Sequence, residues 1–399
     1  MKKALNHLIV FTTVLSLFIP GAYCRESVEI EKQVDYLKAL SHLSSLSRNR
    51  TDEAKQKYID SLKDLIKQNN GLNTSTYHFI RLVEKNLEKN IDICGDIIVN
   101  KMEESSAVER RTLALTLYRL SKRPGFRLSD QSIERIISLV SEEKDHDVAG
   151  SLIYVLSKAG PQKIEKVGDI IFSIVEGADG SKPQKYAILA LIELLKRKEF
   201  TEQERAVKLF VQFSESETVS YRQYAATAFG AGGVNPEVAV PVLLRLLDDN
   251  YFKVRKAAAY SLRGFGPEAK EAIPLLVKTA RSETGWGIQS YCIHALQSIG
   301  KDDPEVLKAF SEFLDNPRLK LTTLSHLSGL GENGAELAPR VAKFLENGDL
   351  QEKRYAVQAL GYIGTAAQIP DLNKLLKDSD AFIRKRARVS IAAIEKRQP

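Results

Sequence analysis

Cysteine is scarce in this chain, three in 399 residues. Cys24 closes an apolar N-terminal stretch, and the other two, Cys94 and Cys292, lie 198 positions apart. Such a separation leaves no disulfide framework of the kind that staples small secreted folds, so both are expected as buried free thiols. Apolar runs of membrane length are missing after Ile19. Metal-ligand spacing is missing as well: His42, His78, His146, His294 and His326 are scattered, and Cys292 and His294 are two apart, which points them to different faces of a helix. No nucleophile elbow, His-Glu-x-x-His pair or phosphate loop is present. Catalytic triads assemble in space rather than in sequence, but no residue here earns a catalytic, cofactor or metal assignment.

What is present begins with Lys2 and Lys3, an apolar stretch from Leu8 to Ile19, and Pro20-Gly21-Ala22-Tyr23-Cys24. Charge, length and small-residue ending are those of a secretory signal peptide, expected over residues 1–24 with cleavage before Arg25. Two alternatives stand beside it: lipid attachment to Cys24, against which Tyr23 occupies a place that wants a small residue, and an uncleaved anchor, which Pro20 and Gly21 cut short of the roughly 20 residues a span needs. The remainder is expected to be soluble and extracytoplasmic, periplasmic or secreted. Removing Lys2 and Lys3 lowers the formal charge from +7 to +5. Residues 25–104 read as a helical N-terminal cap of amphipathic stretches, broken by loops at Ser47-Arg48-Asn49-Arg50 and Asn69-Asn70-Gly71. A cap is what the first unit of a stacked array needs, since one of its faces must be polar.

From residue 105 to 399 a period takes over, faintly at Ala107 to Leu120, Val148 to Leu156 and Tyr186 to Leu194, then plainly from Tyr221. Phe229, Leu262, Leu296, Leu327, Leu360 and Ile391 form one column at spacings of 33, 34, 31, 33 and 31. Gly233, Gly266, Gly300, Gly331 and Gly364 follow four places later, where a left-handed residue would end a helix. Val254, Ala258 and Leu262 fall at i, i+4 and i+8 and line one helical face. The Ala258 column stays small as Ala225, Cys292, Ala356 and Ala387, which gives Cys292 a packing role. Preceding helices carry runs such as Val242 to Leu247, with Pro241, Pro274 and Pro370 expected at their openings. Each unit is helix, turn, helix, stop, and two such helices bury their apolar faces only by stacking on neighbours.

The stretches Val254-Arg255-Lys256-Ala257-Ala258-Ala259-Tyr260-Ser261-Leu262 and Leu360-Gly361-Tyr362-Ile363-Gly364 resemble the HEAT-like repeats, particularly the short kind first described in bilin lyases, over residues 105 to 397. The resemblance implies an all-α, right-handed α-solenoid, here of about eight or nine helical pairs. It implies a binding role, with an enzyme or enzyme accessory related to the HEAT-like lyases as the alternative. The family places an aspartate six residues before an arginine, matched by Asp249 with Arg255 and by Asp378 with Arg384, which are expected to pair.

In such arrays the second helix of each pair lines the concave surface. Its outward columns hold Gln223, Lys256, Ser290 and Arg354, then Tyr224, Tyr291 and Tyr355, then Tyr260, His294 and Gln358. These ten are the candidate partner-binding residues; aromatics and arginines favour interface hot spots, although tyrosines here could equally cover the inter-repeat seam. Gly329-Leu330-Gly331-Glu332-Asn333-Gly334 spells a dinucleotide fingerprint, but it follows a helix rather than a strand, so its glycines are expected to end that helix. Trp286 either plugs an inter-repeat gap or anchors a partner. The C-terminus from Phe382 to Arg397 carries six positive charges and one negative, either the polar face of a terminal repeat or a surface for lipid headgroups or nucleic acid; weak contact with an anionic membrane there would make the protein a surface adaptor. The reading is a non-catalytic extracytoplasmic scaffold that binds a protein or peptide on the concave face of the solenoid. No nucleic-acid partner is expected.

Overall fold

Side chains at the turns set the helix limits. Ser106 and Glu109 form a capping box, the Ser106 amide donating to the Glu109 carboxylate at 2.8 Å, and Asp349 with Glu352 form another. Asn235 and Asp303 each accept an amide two residues on, with Pro236 and Pro304 at the first helical position. Free backbone N–H groups at a helix start are satisfied this way, and proline has none to lose there.

The computed structural model describes residues 91–103, 105–177 and 180–397. The expected signal sequence, the expected cap up to residue 90, His42 and His78 lie outside these residues, as do the side chains of Cys94 and Trp286. Every regular element described is helical, and the fold is an all-α solenoid of HEAT-like pairs. In order the pairs are α1 (Ile91–Met102) and α2 (Ala107–Ser121), α3 (Asp130–Glu142) and α4 (His146–Leu156), α5 (Ile164–Glu176) and α6 (Lys182–Leu195). Then follow α7 (Gln203–Ser214) and α8 (Val219–Phe229), α9 (Pro236–Leu247) and α10 (Phe252–Leu262), α11 (Ile273–Ser282) and α12 (Trp286–Ile299). The last are α13 (Pro304–Asp315) and α14 (Lys320–His326), α15 (Ala338–Asn347) and α16 (Leu350–Ile363), α17 (Ile369–Lys374) and α18 (Ala381–Lys396). Nine pairs are thus described, and the boundary expected at residues 104 and 105 falls between the two helices of the first. By packing, the chain divides into two compact units at Ala190 and Leu191, inside α6.

In the first unit α2 packs on α1 and on α4, burying Leu113, Leu117, Leu120, Leu152 and Leu156. In the second, each second helix packs on the next, α8 through α18, more extensively than the first helices do on one another. The seam between them is the core: Val254, Ala258 and Leu262 are fully buried, as are Ala225, Cys292, Ala356 and Ala387. Of the closing column, Phe229, Leu262, Leu296, Leu327 and Leu360 are buried and Ile391, in α18, is only half-buried.

Three expectations need correction. Pro241 lies inside α9, five residues after the proline that opens it, so the Glu237 carbonyl one turn earlier receives no N–H from that position. The glycine column is not uniformly left-handed. Gly233, Gly266 and Gly331 have φ of 83°, 53° and 57°, and at Gly266 and Gly331 ψ is −138° and −143°, a region open to glycine alone. Gly300 and Gly364 have φ of −130° and −71°; they are glycines because a Cβ at Gly364 would stand 2.4 Å from the Leu360 carbonyl oxygen, and one at Gly300 2.8 Å from Val306. Third, Arg255 does not pair with the Asp249 carboxylate. Its guanidinium donates to the backbone carbonyls of Asp249 and Asn250 at 2.8 and 3.0 Å and to the Glu283 carboxylate, one repeat on, at 2.5 Å. Asp249 instead receives Arg222, one repeat back, at 2.6 Å. Arg384 likewise donates to the carbonyls of Asp378 and Ser379 rather than to a carboxylate.

The segment spelling the dinucleotide fingerprint lies in the 3-10 turns of Leu327–Leu337, directly after α14. A Cβ at Gly329 would meet the Gln297 amide at 1.8 Å and one at Gly334 would meet Ile363 at 2.8 Å, so these glycines admit neighbouring helices.

Candidate partner-binding face

A helix that buries every third and fourth residue against its neighbours turns the remaining positions outward as a stripe. On α10 that stripe carries Lys256 and Tyr260, both exposed, with Arg263 directly after the helix. On α12 it carries Ser290, Tyr291 and His294, and α14 ends on His326, all half-buried.

Neighbouring stripes touch. The Tyr260 ring meets the Tyr291 ring edge-on with centroids 5.2 Å apart. The Lys256 ammonium lies 5.6 Å from the Tyr291 ring centre, and the Arg263 guanidinium 4.4 Å from that of Tyr260. Arg263 also donates to Nδ1 of His294 at 3.3 Å. A guanidinium only donates, so Nδ1 is the accepting nitrogen of that ring. The His294 and His326 rings stack at 4.9 Å, and the Ser290 hydroxyl is 3.3 Å from Nε2 of His326. Lys256, Tyr260, Ser290, Tyr291 and His294 are thereby brought into one connected face.

The other five candidates lie outside this network. Gln223 and Tyr224 are half-buried on α8, where burial raises the Tyr224 phenol above its usual range. Arg354, Tyr355 and Gln358 are half-buried on α16, and Arg354 is held by the Asp380 carboxylate at 2.6 Å, so it belongs with the inter-repeat ion pairs. Arg263 and His326 are the members that sequence reasoning missed. A signal existed for both: Arg263 is three residues after Tyr260 and seven after Lys256, which returns it to the same face, and His326 puts a ring just before the closing leucine, where Ala228, Ala295 and Ala359 are small.

The electrostatics of the face follow from partial burial beside cations. Burial, then the adjoining His294, pushes the His326 imidazole down to about 4, and burial with Arg263 lowers His294. Beneath them Cys292 is fully buried, and burial pushes its thiol up to about 12, leaving it unreactive as a thiolate. The face offers ring edges, hydroxyls and two cations. It presents hydrogen-bond donors rather than a nucleophile.

Two open concavities lie among the turns of the same unit. One of about 360 Å³ is bordered by Asp249, Arg255 and Glu283, the other of about 680 Å³ by Arg281, Glu312 and Arg318. Ion pairs join several of these charges, Arg255 with Glu283 and Arg281 with Glu312.

The first unit repeats the aromatic theme by itself. Tyr118, Tyr154 and Tyr186 project from α2, α4 and α6, with Tyr118 edge-on to the others at 4.9 and 5.5 Å and the Lys122 ammonium 4.1 Å from its ring centre. Tyr118 and Tyr154 stand two residues before Leu120 and Leu156, as Tyr260 stands before Leu262, so the column was legible there too. At the C-terminus Arg397 donates to the carbonyls of Gly361 and Gly364, and Arg386 lies over Phe382, while Lys385, Arg388 and Lys396 are exposed.

Residues 206–297 match the family model for HEAT repeats, and residues 352–378 match that for the PBS lyase HEAT-like repeat. The chain therefore carries HEAT-like repeats, and the face just described lies on second helices within and directly after the first of these matches. No curated protein matches the chain. Among solved structures it is similar to a designed armadillo repeat protein in complex with the peptide (KR)4, at 15% identity and a TM-score of 0.36, over 56% of this chain and 98% of the other.

Proposed function

We propose that the protein is a non-catalytic, extracytoplasmic scaffold that binds a protein or peptide on the second-helix face of its solenoid. The observation that carries this reading is the connected face of Lys256, Tyr260, Arg263, Tyr291 and His294. Rings and long side chains are held there in fixed mutual contact, so little conformational entropy is lost when a partner settles on them. Tyrosine and arginine at such positions supply most of the energy in typical interfaces. An extended open face suits a polypeptide better than a small molecule, which prefers an enclosed pocket. Export is supported by the sequence of residues 1–24 alone.

A photo-crosslinking amino acid in place of Tyr260 tests the reading, with one in place of Lys208 on the first helix α7 as the comparison. Mature protein carrying the group at Tyr260 is expected to capture a discrete polypeptide from an extracytoplasmic extract, and the Lys208 version is not. Equal capture from both positions, or none from Tyr260, overturns the proposal.

A further inference from the structure

The four consecutive second helices α8, α10, α12 and α14 contain no aspartate or glutamate, whereas the first helices α7, α9 and α13 each contain at least one. Apart from Lys253, an exposed cation on the first turn of α10, the lysines and arginines on these second helices fall into two groups. Arg222, Arg255 and Lys320 each meet a carboxylate of the following repeat, Asp249, Glu283 and Glu352. Lys256, and Arg263 just beyond α10, meet none among the described residues: their partners are the Tyr291 ring, the Tyr260 ring and a histidine nitrogen that accepts. Rings and neutral imidazoles hold these two cations in place without neutralising them. A face built so carries positive potential, and at the half-buried Arg263 a charge-assisted hydrogen bond is stronger than in open water.

We infer that this face binds an acidic segment of a polypeptide, with carboxylates seated on Lys256 and Arg263 and the intervening chain lying over Tyr260 and Tyr291. This rests on the scaffold reading and names the chemistry of its ligand. The spacing narrows it further. Lys256 and Arg263 are seven positions apart, about 10 Å along a helix rising 1.5 Å per residue. That is the length of about one turn of a polyproline II strand, three residues rising about 3.1 Å each, which returns every third side chain to the same face, so acidic residues at every third position present a carboxylate to each cation. The planar fork of Arg263 accepts a carboxylate through two parallel N–H groups, whereas Lys256 acts as a point charge.

The probe is a fluorescein-labelled peptide of Glu-Gly-Gly repeats, titrated by anisotropy beside Gln-Gly-Gly and Lys-Gly-Gly counterparts, oligothymidylate and phosphatidylglycerol vesicles. The acidic peptide is expected to bind at least tenfold tighter than the other two peptides and to weaken as salt rises. Lys256→Ala and Arg263→Ala are each expected to lower its affinity about tenfold, the size of one charge-assisted contact. Lys253→Ala, an exposed cation on the first turn of the same helix, is expected to leave it unchanged. Unchanged melting curves for all three variants confirm that binding, rather than folding, is being read. The inference is overturned if the acidic peptide binds no tighter than the neutral one, if oligothymidylate or vesicles bind tighter, or if Lys253→Ala costs as much as Arg263→Ala. A polypeptide captured at Tyr260 and displaced by the basic peptide but not by the acidic one overturns the inference while leaving the scaffold standing.

Discussion

His326 concentrates the chemistry of the face in one side chain. Its ring is half-buried, stacked on His294, and touched by the Ser290 hydroxyl, so a proton added to it is poorly solvated and lies against the ring that Arg263 faces. Its folded-state value of about 4 lies below the ordinary 6.5. Between those two values the unfolded chain binds more protons than the folded one, so unfolding free energy falls as pH falls from about 6.5 towards about 4. His326→Gln is expected to flatten that slope when melting temperature is followed from pH 7 to pH 4.5. A variant retaining the full slope would show that other groups set it. Cys292 two residues from His294 is inert for a different reason, complete burial in the seam.

Between elements the ladder of arginines does what the column of leucines cannot. Leucines attract any apolar neighbour, but a guanidinium that must satisfy two carbonyls of its own turn and one carboxylate of the next repeat admits one register. In Arg255 the side chains are mostly buried, 21% exposed for the arginine and 13% for Glu283. Arg255→Ala leaves that carboxylate unpaired and is expected to cost about 2 kcal/mol in chemical denaturation. Arg255→Lys is expected to recover only part of it, since an ammonium cannot span three acceptors set around a planar fork. The helix stops work by close approach as well. Gly364→Ala drives a Cβ into the Leu360 carbonyl and against Ile394, and is expected to cost about 1 to 3 kcal/mol. Gly264→Ala, with nothing within 4 Å of the added carbon, is expected to be neutral or slightly stabilising in the same measurement.

Taken whole, the protein separates the tasks of its helices. Exposed acidic charge of the second unit lies on first helices, as at Glu204, Glu237, Glu305, Glu312 and Glu346, and in the turns, while the second helices α8 to α14 form the seam and the acid-free face. Stability in such an array comes from each repeat and its nearest neighbours, so residues on the outward stripe are free to be chosen for binding. The proposed export belongs to this scale too. Mass measurement of the protein recovered from outside the cytoplasm is expected to show a chain beginning at Arg25; a chain retaining Met1, or one carrying a lipid on Cys24, would contradict cleavage at that point.

The sequence by itself determined the repeat, the core column and the outward columns. Burial at i, i+4 and i+8 leaves its mark within a single helix, and glycine and capping residues mark the ends, so both are visible in one dimension. Five of the ten face residues were brought together as those columns implied. What only the tertiary structure decided is which side chain meets which across a seam: Arg255 with Glu283 rather than Asp249, His294 with His326, Arg354 with Asp380, and Ile91–Met102 as the partner of the next helix. The three side-chain contacts join residues 26 to 32 positions apart, and their register depends on how far neighbouring helices slide before the small residues of the Ala258 column close the gap. Periodicity is indifferent to that slide by a residue or two, whereas packing is not.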